Sequence, residues 1–177
     1  MSRRQHFDTD ALYRALDAER VRRGMSWNNV AKEIWELSPE VIKQRPDDHP
    51  FSAATIRSMK EKHRTSCQHA LFMMRWLNMA PECFLKEPPV EAGNIILPDG
   101  GTGKRPRWSL KRLYLALDAK RQAEGKTWAE TASILGCSAN QLTGLRTAKF
   151  ATNIDLAMRI VQWTNKRSTD FMYLADW

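Results

Sequence analysis

The chain has 177 residues, and its 28 lysines and arginines outnumber its 20 aspartates and glutamates, which gives a net charge of +8 and a pI near 9.7. A length of this size allows one or two domains, and a basic excess spread along the chain favours a polyanionic partner such as nucleic acid. No stretch approaches the roughly 18 apolar residues of a membrane span, and the N-terminus lacks the apolar run of a signal peptide. Three scattered cysteines fit reduced thiols, so a cytoplasmic protein is expected.

Two segments of the chain are copies of one another. Residues 12–31 and 113–132 are identical at ten of twenty aligned positions, and the match continues to Trp76 and Trp163. Tryptophans that recur at equal positions favour a role in core packing over a role in base stacking. An internal repeat of this kind indicates the architecture directly, as two copies of one small helical unit.

Helical periodicity and capping residues predict four helices in the first repeat, after a short basic arm over residues 1–7. These helices begin at about Asp8, Ser26, Ser52 and Ser66. Fifteen extra residues, relative to the second repeat, separate the second helix from the third. The first repeat is therefore expected to carry an insert, over 38–51, in the turn between these two helices.

Proline and glycine are concentrated in residues 86–107, and this composition indicates a linker. No segment shows a convincing strand pattern. The expected fold is therefore all-α, with two tandem domains over 1–85 and 108–177 joined by this linker.

Helix starts are clearer in the second repeat. Thr127 and Glu130 form a capping-box pattern, and Ser138 and Gln141 form another. Between the two patterns, Gly136 lies where a tight turn needs a left-handed backbone. A fourth helix is expected over about 153–165.

The two middle helices of the second repeat have the spacing of a helix-turn-helix. Counting from Trp128, the small residue Ala132 lies where the next helix crosses, and Leu142 and Leu145 fill the space beneath that helix. This pattern resembles the Cro/C1-type, or lambda-repressor-like, DNA-binding domains. The first repeat keeps the buried spacing but departs from the pattern at Trp35, which replaces the turn glycine.

In domains of that family, the helix after the turn lies in the major groove and its outward residues read base edges. The resemblance implies base-reading candidates on two helices, which are Ala53, Ala54, Thr55, Arg57 and Ser58 in the first repeat and Ala139, Asn140, Gln141, Thr143 and Gly144 in the second. Arg57 suits a bidentate guanine contact, and Asn140 or Gln141 suits a contact to adenine. Gln141 is equally suited to capping its own helix.

Basic residues that follow each reading helix are candidates for phosphate contacts, which set the register on the duplex. They are Lys60, Lys62, Arg64, Arg146 and Lys149. Two further basic segments are candidates for arms in the minor groove, namely Arg3 and Arg4 at the N-terminus and Lys104, Arg105 and Arg107 in the linker. A solvent-facing arm without DNA contact is the alternative for each segment.

The sequence shows no catalytic constellation, and we expect neither an enzyme nor a cofactor. Residues 100–104 depart from a phosphate-binding loop, because Arg105 replaces the Ser or Thr that would hold magnesium. His63, Cys67 and His69 lack a fourth ligand, so no metal site is expected. No small-molecule ligand is evident either.

The size, basic balance and two-part build also resemble those of the immunity repressors of mycobacteriophages. This resemblance implies a repressor that acts in the cytoplasm of the bacterial host, on its nucleoid, and silences lytic genes during lysogeny. It also implies a monomer, rather than a homodimer, that reads an asymmetric site in double-stranded DNA with two unequal heads. The alternative is that only one head binds DNA and the N-terminal repeat docks a protein partner.

Overall fold

The computed structural model describes residues 4–36, 51–101, 104–147 and 152–176, and within these ranges the chain is mostly helical. The α-helices are α1 (Thr9–Arg22), α2 (Trp27–Glu36), α3 (Ala53–Lys62), α4 (Cys67–Leu77), α5 (Leu110–Ala123), α6 (Trp128–Leu135), α7 (Ala139–Thr143) and α8 (Ile154–Trp163). Two strands, β1 (Lys104–Trp108) and β2 (Met172–Asp176), pair antiparallel. Short 3-10 turns cover Pro81–Phe84, Val90–Asn94, Gly144–Arg146 and Ser168–Phe171. None of these helices combines the length and the apolar character that crossing a bilayer requires.

Capping side chains begin several helices where the sequence predicts them, whereas Ser52 precedes α3 without a side-chain capping bond. Asp8 precedes α1 and accepts a hydrogen bond from the amide of Ala11 at 2.9 Å. Thr127 and Ser138 each form the predicted capping box, in which the side chain three residues further on bonds back to the cap amide. Both capping boxes are therefore confirmed, and each satisfies two amides that a helix start would otherwise leave unpaired.

Residues with a left-handed backbone follow helices at equivalent places in the two repeats. Gly24 and Gly125 lie after α1 and α5 with φ of 64° and 63°. Asn78 and Asn165 lie after α4 and α8, each with φ of 54°. These conformations suit glycine and asparagine and stop a helix within one turn, so the same chemistry ends corresponding helices in both copies.

The small sheet corrects the expectation that the fold has no strands. Trp108 pairs with Met172 in the β1–β2 ladder, and Phe7 and Leu85 form an isolated bridge at the corresponding place in the first repeat. In each copy, the residue before the cap of the first helix is thus paired with the residue after the 3-10 turn that ends the repeat. Residues 104–107 therefore belong to the sheet, and the expectation that they form free linker is wrong.

One continuous apolar core spans both repeats. Helices α4 and α8 pack against each other between the remaining helices, and their inward side chains are almost fully buried. Fully buried members are Leu12, Leu16, Leu71, Met73, Met74, Leu113, Leu117, Ile154 and Ile160. Burying a side chain of this size stabilises a fold by about 1.5–3 kcal/mol. The relative position of the repeats is therefore set by this shared packing.

Candidate nucleic-acid interface

Helices α3 and α7 occupy equivalent positions in the two repeats and are anchored in the same way. Ile56 and Met59 of α3 are each 1% exposed. Leu142 of α7 and Leu145 of the following 3-10 turn are 0% and 3% exposed. The sequence pattern predicts buried residues at this spacing beneath the two helices that are expected to read DNA. The opposite face of each helix is therefore left toward solvent.

The turn before α7 depends on one glycine. Helix α6 ends at Leu135, and Gly136 follows with φ of 67°. Ser138 then caps α7, so only three residues separate the two helices. The corresponding turn of the first repeat, including the predicted insert over 38–51, lies almost wholly outside the described residues.

Replacing Gly136 with alanine should lower the free energy of unfolding by about 1–2 kcal/mol, because an L-residue pays a steric cost in the left-handed region. A Cβ at this position would also lie 3.1 Å from the guanidinium of Arg159. Gly144→Ala is the matched control, since its φ is −62° and a Cβ there meets nothing within 4 Å. Urea unfolding should show no loss, or a small gain, for this control. An equal loss in both variants would contradict the proposed role of the turn.

Most base-reading candidates are accessible. Ala54, Arg57, Asn140, Gln141, Thr143 and Gly144 are exposed, while Ala53, Thr55, Ser58 and Ala139 are half-buried. The side-chain oxygen of Gln141 accepts a hydrogen bond from the Ser138 amide at 2.9 Å, and the Thr143 hydroxyl donates to the Ala139 carbonyl at 3.2 Å. Asn140 is therefore better placed than Gln141 to offer a whole amide group to a base.

The basic residues beside the two helices form the charged part of this surface. Lys60, Lys62, Arg64 and Arg146 are exposed. The ammonium of Lys60 lies 4.8 Å from the centre of the Tyr13 ring, a cation–π distance. Lys149 lies outside the described residues. Four of the five predicted phosphate-binding cations are thus on the surface.

The predicted minor-groove arms are placed differently from the expectation. Arg4 donates to the carbonyl of Ile134 at 2.6 Å, so it holds the N-terminal segment on the second repeat. Arg105 is 1% exposed in β1, with its guanidinium 5.6 Å from the centre of the Phe72 ring. A DNA-contacting role for Arg105 is therefore wrong, because its side chain is buried where β1 packs on α4.

Two of the other three arm residues lie in the strand β1. Lys104 and Arg107 are held in β1, where Lys104 is exposed and Arg107 is half-buried. Their expected place on a free arm is wrong as well, since both belong to the sheet. Arg3 lies outside the described residues.

An arginine that is identical in the two repeats holds the turn between each first and second helix. Arg121 lies 4.6 Å from the Trp128 ring, forms an ion pair with Asp118 at 2.7 Å, and donates to the Lys126 carbonyl at 2.8 Å. Tyr114 stacks on the same tryptophan at a centroid distance of 5.7 Å. Arg20, Trp27, Asp17, Met25 and Tyr13 repeat this arrangement in the first copy. The half-buried tryptophans are thus covered by tyrosine and arginine, which is a structural use of these shared residues.

Another arginine is committed to helix packing. Arg23 donates to the carboxylate of Glu33 at 2.7 Å, and the Trp76 indole donates to the same carboxylate at 3.1 Å. The hydrogen bond from Arg23 lowers the pKa of Glu33 against the opposing effect of burial. Arg23 therefore ties α1 to α2 and α4 and contributes less to the free positive surface.

The histidines and cysteine near the start of α4 do not assemble. Cys67 is fully buried, which raises the pKa of its thiol to about 12, and His63 is bonded to Asp10 at 2.8 Å. Burial lowers the pKa of His69. Within the described ranges, no three His, Cys, Asp or Glu side chains lie together as metal ligands.

A surface groove beside α3 brings in residues that the sequence did not single out. Its walls include Ala54, Ser58, Lys62, Arg64, Ser66, His69, Thr152 and Asn153. Ser66 and Asn153 cap α4 and α8, so the starts of both fourth helices meet at this groove. Capping residues are visible in the sequence, but their proximity across 87 positions depends on how the two repeats pack.

The chain matches no family model, no curated protein and no solved structure at a significant level. Membership of the Cro/C1-type family therefore stays a prediction from the sequence pattern.

Proposed function

We propose that the protein is a sequence-specific double-stranded DNA-binding regulator with two helix-turn-helix units, in which α3 and α7 each enter a major groove. The observation that carries this proposal is that α3 and α7 have the same arrangement of buried, outward-facing and basic residues. In both repeats a short helix is anchored by two buried apolar residues, presents polar and small residues outward, and is followed by exposed cations. A helix of this kind fits the major groove, and its outward residues meet base edges.

In α7, Asn140 is the residue best suited to direct readout. An asparagine amide can bind adenine bidentately, because its NH2 group donates to N7 and its oxygen accepts from the N6 amino group. Gln141 uses its oxygen in the helix cap, which leaves its amide nitrogen for a single contact. Gly144 and Ala139 add little bulk, so this helix can approach the bases closely.

In α3, Arg57 is the corresponding residue. It is exposed in the middle of the helix, and a guanidinium binds the O6 and N7 atoms of guanine bidentately. Lys62 and Arg64 follow at the C-terminal end, where they suit contacts to phosphates. The two heads therefore offer different chemistry, guanine readout from α3 and adenine readout from α7, and we propose that the site is unequal in sequence.

Occupancy of promoter or transcribed DNA would make such a protein a repressor of the phage-immunity type, acting on the nucleoid of a bacterial host. Because one chain carries two reading helices, a monomer is the proposed binding form. Counterion release contributes a large share of the affinity of such a complex, so binding should weaken steeply with salt.

Selection from a randomised duplex library, followed by binding titrations on the selected duplex, tests the proposal. Arg57→Ala should cost about 1–3 kcal/mol on the selected site and relax the preference at one base pair. Lys62→Ala should weaken selected and unrelated duplexes alike and reduce the salt slope by about 1.

Arg22→Ala is the matched control for charge, since Arg22 is exposed at the end of α1 and paired with Glu19 at 2.6 Å. We expect it to leave the base preference unchanged. If no duplex is enriched, sequence-specific DNA binding is refuted. If DNA binds but neither Arg57→Ala nor Lys62→Ala alters binding, α3 does not read DNA, and the first repeat is then the protein-docking surface of the alternative hypothesis.

A further inference from the structure

The two repeats meet through a contact that has local twofold symmetry. The amide of Cys67, at the start of α4, donates to the carbonyl of Thr152 at 2.7 Å. The amide of Ile154, at the start of α8, donates to the carbonyl of Thr65 at 3.1 Å. Since α4 and α8 are equivalent helices, each repeat gives and receives the same hydrogen bond, and an axis passes between Ser66 and Asn153.

A second pair of hydrogen bonds crosses between the repeats in both directions. Asp155, in the first turn of α8, accepts from the amide of Phe7 at 2.9 Å. Gln68, at the equivalent place in α4, accepts from the amide of Trp108 at 3.2 Å. Phe7 and Trp108 are themselves equivalent, because each pairs with the residue after the last 3-10 turn of its own repeat.

Such a reciprocal exchange distinguishes a rotation from a simple translation. If the two repeats were related by a translation, an acceptor of the first repeat would contact a donor of the second. The equivalent hydrogen bond from the first repeat to the second would then be missing. An exchange in which each unit uses the same patch is the signature of an isologous, twofold interface. The repeats are therefore arranged as the two halves of a pseudo-dimer.

Within each repeat, the same hydrogen bond fixes the exchanged segment. The amide of Asp8 donates to the carbonyl of Phe84, and the amide of Ser109 donates to the carbonyl of Phe171, both at 2.7 Å. The segments that cross the interface are thus held alike in the two copies. This agreement extends the twofold relation from the contact at the axis to the bodies of the repeats.

The reading helices lie beside this axis. Ala54, Ser58 and Lys62 of α3 line the groove in which Ser66 and Asn153 also lie. Because Ser66 and Asn153 flank the axis, α3 is next to it. A twofold rotation does not change the position of an element along the axis. The helix α7 is therefore at the same end of the axis as α3, on the opposite side of the axis.

We propose that the DNA site consists of two half-sites in inverted orientation, one for α3 and one for α7, at a single fixed spacing of about one helical turn. This inference rests on the proposed function. The site is then symmetric in geometry and unequal in sequence, since the outward residues of the two helices differ. The groove at the axis, with Arg64 and His69 on its walls, faces the minor groove between the half-sites.

The test uses the full chain and synthetic duplexes that contain the two half-sites found by library selection. Arg57→Ala and Asn140→Ala identify which half-site each helix reads, because each variant should lose base preference in one half-site only. The two half-sites are then combined in inverted, direct and everted order at the selected spacing, with a duplex that carries one half-site as the reference.

We expect the inverted duplex to bind about 100-fold more tightly than the single half-site, the gain that linking two sites can give when the geometry allows both to engage. Direct and everted duplexes should bind no better than the single half-site. Inserting half a helical turn, about five base pairs, should remove the gain. Inserting a full turn should not restore it, because the shared core fixes the distance between the helices.

Equal binding of inverted and direct duplexes, or recovery with a full extra turn, would overturn the inverted arrangement while leaving DNA binding intact. Failure of every duplex to bind above random DNA would instead refute the proposed function. The two failures are therefore distinguishable in one set of titrations.

Discussion

Replacing Leu113 with alanine should lower the free energy of unfolding by about 2–5 kcal/mol, and both repeats should unfold in the same single transition. Leu113 is 0% exposed in α5, within the core that runs through both repeats. Removing its side chain leaves a cavity that the packed helices fill only in part. Since the two repeats share one core, a cavity in the second repeat should also lower the stability of the first repeat.

Urea unfolding followed by circular dichroism measures the total loss, and alkylation of Cys67 reports on the first repeat. The Cys67 thiol is fully buried, and burial raises its pKa to about 12, so it should react only when α4 opens. In the Leu113→Ala variant, Cys67 should become reactive at the same lowered urea concentration at which helicity is lost.

Leu115→Ala is the matched control on the same helix, because Leu115 is 55% exposed. Its free energy of unfolding should change by no more than about 0.5 kcal/mol. Two separate transitions in the Leu113→Ala variant, with Cys67 protected through the first, would show that the repeats unfold independently.

Replacing Asp155 with alanine should lower the free energy of unfolding by about 2–3 kcal/mol. The Asp155 carboxylate accepts from the amide of Phe7 at 2.9 Å, contacts the His6 ring at 3.1 Å, and pairs with Arg159 at 3.0 Å. Without it, the partly buried Phe7 amide loses its acceptor, and the segment before α1 loses one of the hydrogen bonds that hold it on the second repeat.

Asp155→Asn separates the hydrogen bond from the charge, because it keeps an acceptor oxygen for the Phe7 amide. We expect it to lose less than half as much as Asp155→Ala in urea unfolding at neutral pH. Asp10→Ala is a surface control, since Asp10 is paired with an exposed histidine, His63, and it should lose no more than about 0.5 kcal/mol. Equal stability of Asp155→Ala and the unmodified chain would contradict a role for this carboxylate in joining the repeats.

Much of the local structure could be predicted because its causes are local. The capping boxes at Thr127 and Ser138 need only residues three positions apart, and the turn at Gly136 needs only a residue that tolerates a left-handed backbone. The buried spacing of Leu142 and Leu145 follows from helical periodicity. The repeat then carried these predictions from one copy to the other.

The features that could not be predicted depend on contacts between distant segments. Residues 104–107 have the composition of a linker, and nothing local to them indicates that they pair with the segment 172–176. Arg105 is buried where β1 also packs on α4, which is another contact between distant segments. Arginine is mostly exposed in proteins, so the sequence alone predicts a surface position for Arg105.

The interface between the repeats could not be predicted from the sequence for a different reason. Gln68 and Asp155 are at equivalent positions, and each accepts a hydrogen bond from a backbone amide of the other repeat. They are different residues, so an alignment of the two copies does not single them out. Arg20 and Arg121 do stand out, because they are identical, but each serves its own repeat. Identity between the copies therefore marked the internal packing of each unit, while the surface that joins them had diverged.

The covalent connection between the two halves of this pseudo-dimer changes how it responds to dosage. A homodimer assembled from separate chains dissociates on dilution, so its folded and active fraction depends on protomer concentration. Here the second half is always present, and assembly is first order at any abundance. If the chain occupies DNA as proposed, occupancy rises in simple proportion to the number of chains at low abundance, without the quadratic threshold of a dimerising repressor. A newly made single molecule is then already competent to bind.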